Sequence, residues 1–403
     1  MRLKKIINGA VFQEDGSFIP QTVYMIDGRI ASQEEYLALS GKADMDDEAV
    51  FDAGGSYVIP GLTDIHFHGC MGSDCCDGTA EAFGTMAEYE LYQGVTSITP
   101  ATMTMPEEVL LQICEAAKAF CDRTDGNLDE NANKNAADLC GLYMEGPFIN
   151  PAKKGAQNGN YIIPADTGLL NRLQERSGNL FRTVAVAPET EGAMAFIREN
   201  SSRINISIAH TTADYETARE AISCGASQLT HTYNAMPPFG HRAPGPIGAA
   251  ADSDHCMAEL ICDGIHVHPA VVRTTFQMFG DDRIILISDS MRATGLADGQ
   301  YDLGGQTVIV KGNLAVLEDG TIAGSVTSLM GCMRNAVQNM GIPLGSAVKC
   351  AAVNPAKAVG IYDDYGSLTP GKVANIVVLD NNLALKMVFH HASLVKEPGN
   401  GGN

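Results

Sequence analysis

From residue 57 onward the chain repeats one unit, a short apolar run of strand length followed by a longer stretch with helical spacing. Strands that alternate with helices in this way pack as parallel βα units, because each crossover must be long enough to lay a helix on the sheet face. Eight such runs can be counted, at 57–65, 94–99, 139–144, 181–187, 203–209, 228–232, 257–262 and 283–288. Helices are expected between them at 79–93, 106–121, 213–224 and 269–279, where Pro106 and Pro269 suit a first helical turn. Eight parallel units close into a barrel, so the expected fold class is α/β with a TIM-type (β/α)8 barrel.

The chain ends read differently. Residues 1–56 alternate short apolar runs with turn pairs such as Asp27-Gly28, which is hairpin patterning, and 371–380 returns to a strand pattern. The expectation is a small discontinuous β-sandwich domain made by residues 1–56 and 362–403, around a barrel at 57–361. After the eighth strand, 301–322 reads as an inserted hairpin turning at Asp319-Gly320, followed by helices near 327–340 and 345–359. Residues 398–403, rich in Gly and Asn, read as a frayed end.

Charge and composition narrow the function. With 27 Lys plus Arg against 48 Asp plus Glu, the net charge of −21 repels polyanions, and no basic cluster offsets it, so no nucleic-acid partner is expected. No run approaches the roughly 18 apolar residues of a spanning helix, and the basic start is followed only by Ile6 and Ile7, so neither membrane nor export is expected. The 11 cysteines, an odd number without a CxxC pair, fit reduced thiols and a cytoplasmic location. The 17 methionines show no ligand spacing and are read as core filling.

Barrels of this type carry their chemistry at the C-terminal ends of the strands. Polar residues stand there in series: His66 and His68 after the first, Glu145 after the third, His210 after the fifth, His231 after the sixth, Asp263 and His266 after the seventh, and Asp289 after the eighth. The two-residue strand period puts His66 and His68 on one side. Imidazoles and a carboxylate converging on one mouth form a nitrogen and oxygen ligand set for zinc or another divalent transition metal. The pair His66/His68 alone is a weak motif, whereas the ordered series is strong. Asp289 fits a proton-transferring acid or base, with a helix cap as its ordinary structural alternative. Arg242, in the segment 239–245, offers a planar fork that matches phosphate oxygens. His241, His255, His268, His390 and His391 are read as surface or supporting residues.

The segments Pro60-Gly61-Leu62-Thr63-Asp64-Ile65-His66-Phe67-His68-Gly69, Met144-Glu145-Gly146-Pro147-Phe148, His231-Thr232-Tyr233-Asn234-Ala235-Met236, Asp263-Gly264-Ile265-His266, Ser288-Asp289-Ser290 and Ile322-Ala323-Gly324-Ser325 carry a resemblance. Over nearly its whole length the chain resembles the amidohydrolase superfamily, in the branch that deacetylates amino-sugar phosphates. The resemblance implies that Glu145, His210 and His231 hold a principal metal, that His66 and His68 hold a second with Glu145 as bridge, and that Asp289 shuttles the proton. One or two divalent ions per chain follow, zinc first, with Fe, Mn or Co accepted by the same ligands. It further implies that Ala156, Gln157, Asn234, Ala235, Arg242, His266 and the loop Ile322, Ala323, Gly324 and Ser325 contact substrate, with Arg242 reaching the phosphate across a homodimer interface. The implied reaction is hydrolysis of the acetamide of N-acetylglucosamine 6-phosphate. N-acetylgalactosamine 6-phosphate, another N-acyl amine, or a non-catalytic barrel that only binds are the rivals. One departure stands out: where some members of the branch carry His, this chain has Gln157, which hydrogen-bonds but carries no proton or charge.

Overall fold

The computed structural model describes residues 2–40, 48–126 and 135–396. Its centre is a ring of parallel strands: Leu62–Asp64; Val95–Ile98 continued by Ala101–Thr102; Asp138–Leu139 continued by Leu142–Met144; Phe181–Val186; Asn205–Ile208; Gln228–Leu229; Met257–Ile261; and Ile284–Ile287. Each is hydrogen-bonded in parallel to the next. The seam between the eighth and the first is closed just beyond their ends, where the Asp289 amide donates to the His66 carbonyl at 3.0 Å and the His68 amide to the Ser290 carbonyl at 2.7 Å. The second strand is interrupted at Pro100, which has no N–H to contribute.

Both faces of these strands are buried, which is why they read as continuous apolar runs. On the outside they pack against helices such as Ala80–Tyr92, which starts where the Thr79 side chain accepts from the Ala82 amide and buries Phe83, Met86 and Leu91. Inside, Tyr143 on the third strand is surrounded by Ala101, Ala185 and Ala209 from three others. One large ring against three small side chains fills the barrel, and the Tyr143 hydroxyl is satisfied 2.7 Å from Thr230 Oγ1. The functional residues sit above this plug.

The run at 57–65 is not one strand. Tyr57–Pro60 pairs antiparallel with Ile376–Leu379 and parallel with Leu3–Phe12, so it belongs to the sheet of the chain ends, and the barrel begins at Leu62 rather than at 57. The switch has a local cause. At Gly61 the chain leaves one sheet for the other: its amide donates to the Asn375 carbonyl, and that of Leu62 to the Gly94 carbonyl. Gly61 also passes so close to its neighbour that a Cβ there would lie 2.1 Å from Thr96 Oγ1.

The chain ends build one eight-stranded mixed sheet, with Leu385–His390 and Ser393–Lys396 beyond Ile376–Leu379 at one side and Phe18–Ile26 and Arg29–Ala31 at the other. The expected sandwich takes the form of this single sheet folded over, its limbs sharing a core of Ile6, Met25, Val58, Ile376, Val378 and Phe389. Phe51 meets Phe389 edge to face at 4.9 Å. The tail at 398–403 lies outside the described residues.

The insertion after the eighth strand has three antiparallel strands, Gly299–Leu303, Gln306–Lys311 and Leu314–Leu317, rather than the two of a hairpin. The first turn, Gly304-Gly305, adds the extra strand. Its buried Leu303, Val308 and Leu317 pack with Met103 and Met291, which anchors the insertion over the strand ends. No helix among the described residues is long and apolar enough to cross a membrane, and no disulfide joins the cysteines there.

Candidate metal centre

Six side chains from five strand ends meet at one point, none more than 7% exposed. His210 Nε2 and His231 Nε2 lie 2.9 and 3.0 Å from Glu145 Oε1 and 3.2 Å from each other. His68 Nε2 is 3.1 Å and His66 Nε2 3.8 Å from the other oxygen, Oε2. Asp289 Oδ1 stands 3.4 Å from His68 Nε2 and 3.7 Å from His66 Nε2. Glu145 thus joins two ligand triads, one with His210 and His231 and one with His66 and His68. The backbone turns sharply to allow this: His210, His231 and Asp289 all have positive φ, at 43°, 27° and 49°, a conformation that costs a non-glycine residue of order 1–3 kcal/mol. Behind Glu145, only a glycine fits at Gly146, where φ is 81° and a Cβ would lie 2.0 Å from Thr104 Oγ1.

The outer ring nitrogens explain why this arrangement calls for a cation. His66 Nδ1 faces the Glu259 carboxylate at 2.9 Å, His210 Nδ1 the Lys153 carbonyl at 2.7 Å, and His68 Nδ1 the Ala101 carbonyl at 3.3 Å. Each of those partners only accepts, so each Nδ1 carries hydrogen and a neutral ring turns a lone pair at Nε2 inward. Lone pairs then face carboxylate oxygens, and a positive charge between them is required. His66 Nε2, fully buried, has no hydrogen-bond partner. The donor set fits a divalent transition metal.

Without an ion, protons take its place. Burial raises the Glu145 carboxyl, but hydrogen bonds from His210, His231 and His68, with His66 close by, outweigh it and hold the group well below the usual range. Asp289 behaves alike: burial raises it, and the hydrogen bond from His68 with the charges of His66, His68 and His231 brings it below the ordinary value. Burial lowers the His66 and His68 imidazoles, yet Glu259 and Glu145 drive His66 well upward, and Asp289 and Glu145 push His68 up to about 10. A folded value near 10 against about 6.5 unfolded gives stability that is whole below the lower value and lost as pH rises through the higher one. Metal binding has the opposite sign, because it needs unprotonated rings. Chelator-treated protein should therefore lose thermal stability across that window while metal-loaded protein keeps it. Unfolding curves with and without chelator check this, and a treated chain that grows more stable toward high pH would remove the bridging protons.

Above the cluster opens a cavity of about 390 Å³. Of the residues expected at substrate, Ala156, Gln157, Asn234, Ala235, His266, Ile322 and Gly324 line it. Ala323 instead packs into the core of the inserted sheet. Ser325 turns inward to brace Asp289, its amide donating to the Asp289 carbonyl at 2.7 Å and its hydroxyl to the Ser288 carbonyl at 2.6 Å. Arg242 is exposed and lies on a different concavity with Thr212, Tyr215 and Pro237. Gln157 lines the cavity with both polar atoms engaged: Nε2 donates to Glu145 Oε2 at 2.8 Å, and Oε1 accepts from the Thr104 amide at 2.7 Å. It braces Glu145. His266 is held by Asp263 through Nδ1 at 2.7 Å.

Sequence reasoning missed several participants. Glu259 holds both His66 Nδ1 and the His231 amide; a lone charge inside the apolar run Met257–Ile261 was the available signal. Tyr143 stacks on the His66 ring at 4.4 Å. Met103 and Leu303 line the cavity without any local pattern.

Comparison with known proteins agrees with this geometry. A family model described as "Amidohydrolase family" matches residues 57–397. An N-acetylglucosamine-6-phosphate deacetylase of Bacillus subtilis (strain 168) is 37% identical over 328 residues, covering 81% of each chain. An N-acetylgalactosamine-6-phosphate deacetylase of Escherichia coli O157:H7 is 32% identical over 84% of this chain and 87% of its own. Among solved structures, a mutant N-acetyl-D-glucosamine-6-phosphate deacetylase from Mycobacterium smegmatis in complex with N-acetyl-D-glucosamine-6-phosphate superposes with a TM-score of 0.85 at 28% identity, covering 98% of this chain and 99% of that one. With a family model spanning barrel and site and relatives matched over most of both lengths, the chain belongs to the amidohydrolase family.

Proposed function

We propose that the protein hydrolyses the acetamide of N-acetylglucosamine 6-phosphate, giving glucosamine 6-phosphate and acetate. The observation that carries this is the Glu145-centred cluster of four imidazoles with Asp289 beside it, at the floor of a cavity of sugar size. We assign two divalent ions, one to Glu145, His210 and His231 and one to His66, His68 and Glu145, with zinc as first choice and Fe, Mn or Co fitting the same donors. Ions held there supply a nucleophilic water at neutral pH and polarise the acetamide carbonyl.

The chain's own groups do the rest. Asp289, 3.4 Å from His68 Nε2 at the edge of the cluster, accepts a proton as the water oxygen attacks the carbonyl carbon, and returns it to the nitrogen as the C–N bond breaks. The other water proton stays on the carboxyl product, so a neutral amine and acetic acid leave and protons balance, the acid then ionising to acetate in solvent. His266, oriented by Asp263, has its Nε2 available to the substrate in the cavity. Glu259, Gln157 and the Lys153 carbonyl keep the ligands aimed. The M. smegmatis complex, with the glucosamine-type ligand, favours that epimer, whereas the E. coli relative carries the galactosamine name. Acetate release compared on the two phosphorylated epimers decides: faster turnover of the gluco form supports the assignment, and a preference for the galacto form replaces it.

Phosphate recognition we assign to Arg242 of a second copy in a homodimer, since in its own chain Arg242 lies away from the cavity. Arg242→Ala should raise KM for the phosphorylated sugar by about 10–100-fold, the worth of a charge-assisted pair, while leaving unphosphorylated N-acetylglucosamine unaffected. Equal losses on both substrates would exclude a phosphate contact. We assign the enzyme to the cytoplasm, where reduced cysteines are the rule.

A further inference from the structure

A second group of metal-competent side chains lies at the other end of the barrel. Asp138 opens the third strand, whose far end delivers Glu145, so the two carboxylates are separated by roughly 20 Å of extended chain. His390 ends the strand Leu385–His390 of the terminal sheet, and His391 follows in its turn. We propose that Asp138, His390 and His391 bind a divalent transition metal of zinc type, a non-catalytic ion that ties the end of the chain to the base of the barrel.

The geometry is that of a ligand set. His390 Nε2 and His391 Nε2 stand 3.1 and 3.0 Å from Asp138 Oδ1, and the three donor atoms lie within 4.8 Å of one another. A tetrahedral ion with bonds of about 2.0–2.1 Å separates its ligands by roughly 3.3 Å, close to the two spacings observed. Neighbouring residues in a strand point to opposite faces. The rings of His390 and His391 converge on one carboxylate only because the backbone turns left-handed at His391 and Ala392, with φ of 47° and 58°.

Two further observations point to a missing partner. His390 is 6% exposed, and its Nε2, aimed at Asp138, makes no hydrogen bond. Asn375 then fixes the other two ligands, its Nδ2 donating to Asp138 Oδ2 at 3.2 Å and its Oδ1 accepting from the His391 amide at 2.9 Å. Such outer support is characteristic of metal ligands. His391 is half-exposed, which leaves a route for the ion and a position for water.

The test uses the full-length protein loaded with zinc and freed of loose metal by gel filtration. Metal content of the wild type is compared with that of His391→Ala and His391→Gln, the second of which retains a hydrogen-bond donor for Asp138. Both variants should hold one zinc fewer per chain than the wild type, with deacetylation unchanged, and cobalt-loaded samples should lose a matching part of the visible absorption. Equal metal content in all three proteins would overturn the proposal and leave a simple ion pair. Loss of activity without loss of metal from either variant would equally count against it.

Discussion

Asp289→Asn should retain its metal and lose about 10²- to 10⁴-fold in kcat, the range that a positioned acid–base group contributes. The substitution keeps the shape and one hydrogen-bonding oxygen beside His68 but removes the group that accepts a proton. The Asp289 amide and carbonyl, bonded to His66 and Ser325, are backbone groups and survive the change, so the seam should stay closed. Metal analysis together with steady-state turnover tests it: normal metal with a near-normal rate would strip Asp289 of the proton-transfer role.

Glu145→Gln should be more damaging, because one carboxylate serves all four imidazoles. The change removes the negative charge around which His66, His68, His210 and His231 are arranged, so both triads lose their shared member at once. Metal content should fall sharply and turnover by roughly 10⁴-fold or more, since the water then returns toward its unassisted pKa of about 15.7. The difference in unfolding temperature between metal-loaded and chelator-treated protein should shrink as well. A variant that keeps a full complement of metal would show that the two triads do not depend on a common ligand. The cluster at Asp138 should be untouched by this substitution, so any ion that remains can be traced with the His391 variants.

Much of this arrangement was legible in the order of residues along the chain. His66, His68, Glu145, His210, His231 and Asp289 stood out because ligand chemistry demands particular side chains and barrel topology says where they stand. The run at 57–65 misled because an apolar stretch says nothing of which sheet it joins; Pro60 and Gly61 held the clue, but the switch depends on pairing with residues some 300 positions away. Gln157 is expected at substrate from the resemblance, and its bracing of Glu145 has no sequence signal because it depends on Thr104 and Glu145 being in place. Arg242 is expected at the phosphate from its chemistry and the resemblance, and its place on a concavity apart from the cavity of its own chain is a property of three dimensions. His390 and His391 had no pattern at all to connect them with Asp138, which reaches them from the opposite half of the molecule.

The closing hydrogen bonds of the barrel have a consequence for how activity arises during folding. The last strand docks on the first through His66, His68 and Asp289, the residues to which the proposed reaction is assigned. Topological completion and acquisition of chemistry are therefore one event. On the proposed mechanism, a newly made chain that has not yet added its eighth strand has neither a finished ring nor a proton carrier, so no half-built form would turn over substrate, and an ion captured at the mouth would act as a rivet across the joint.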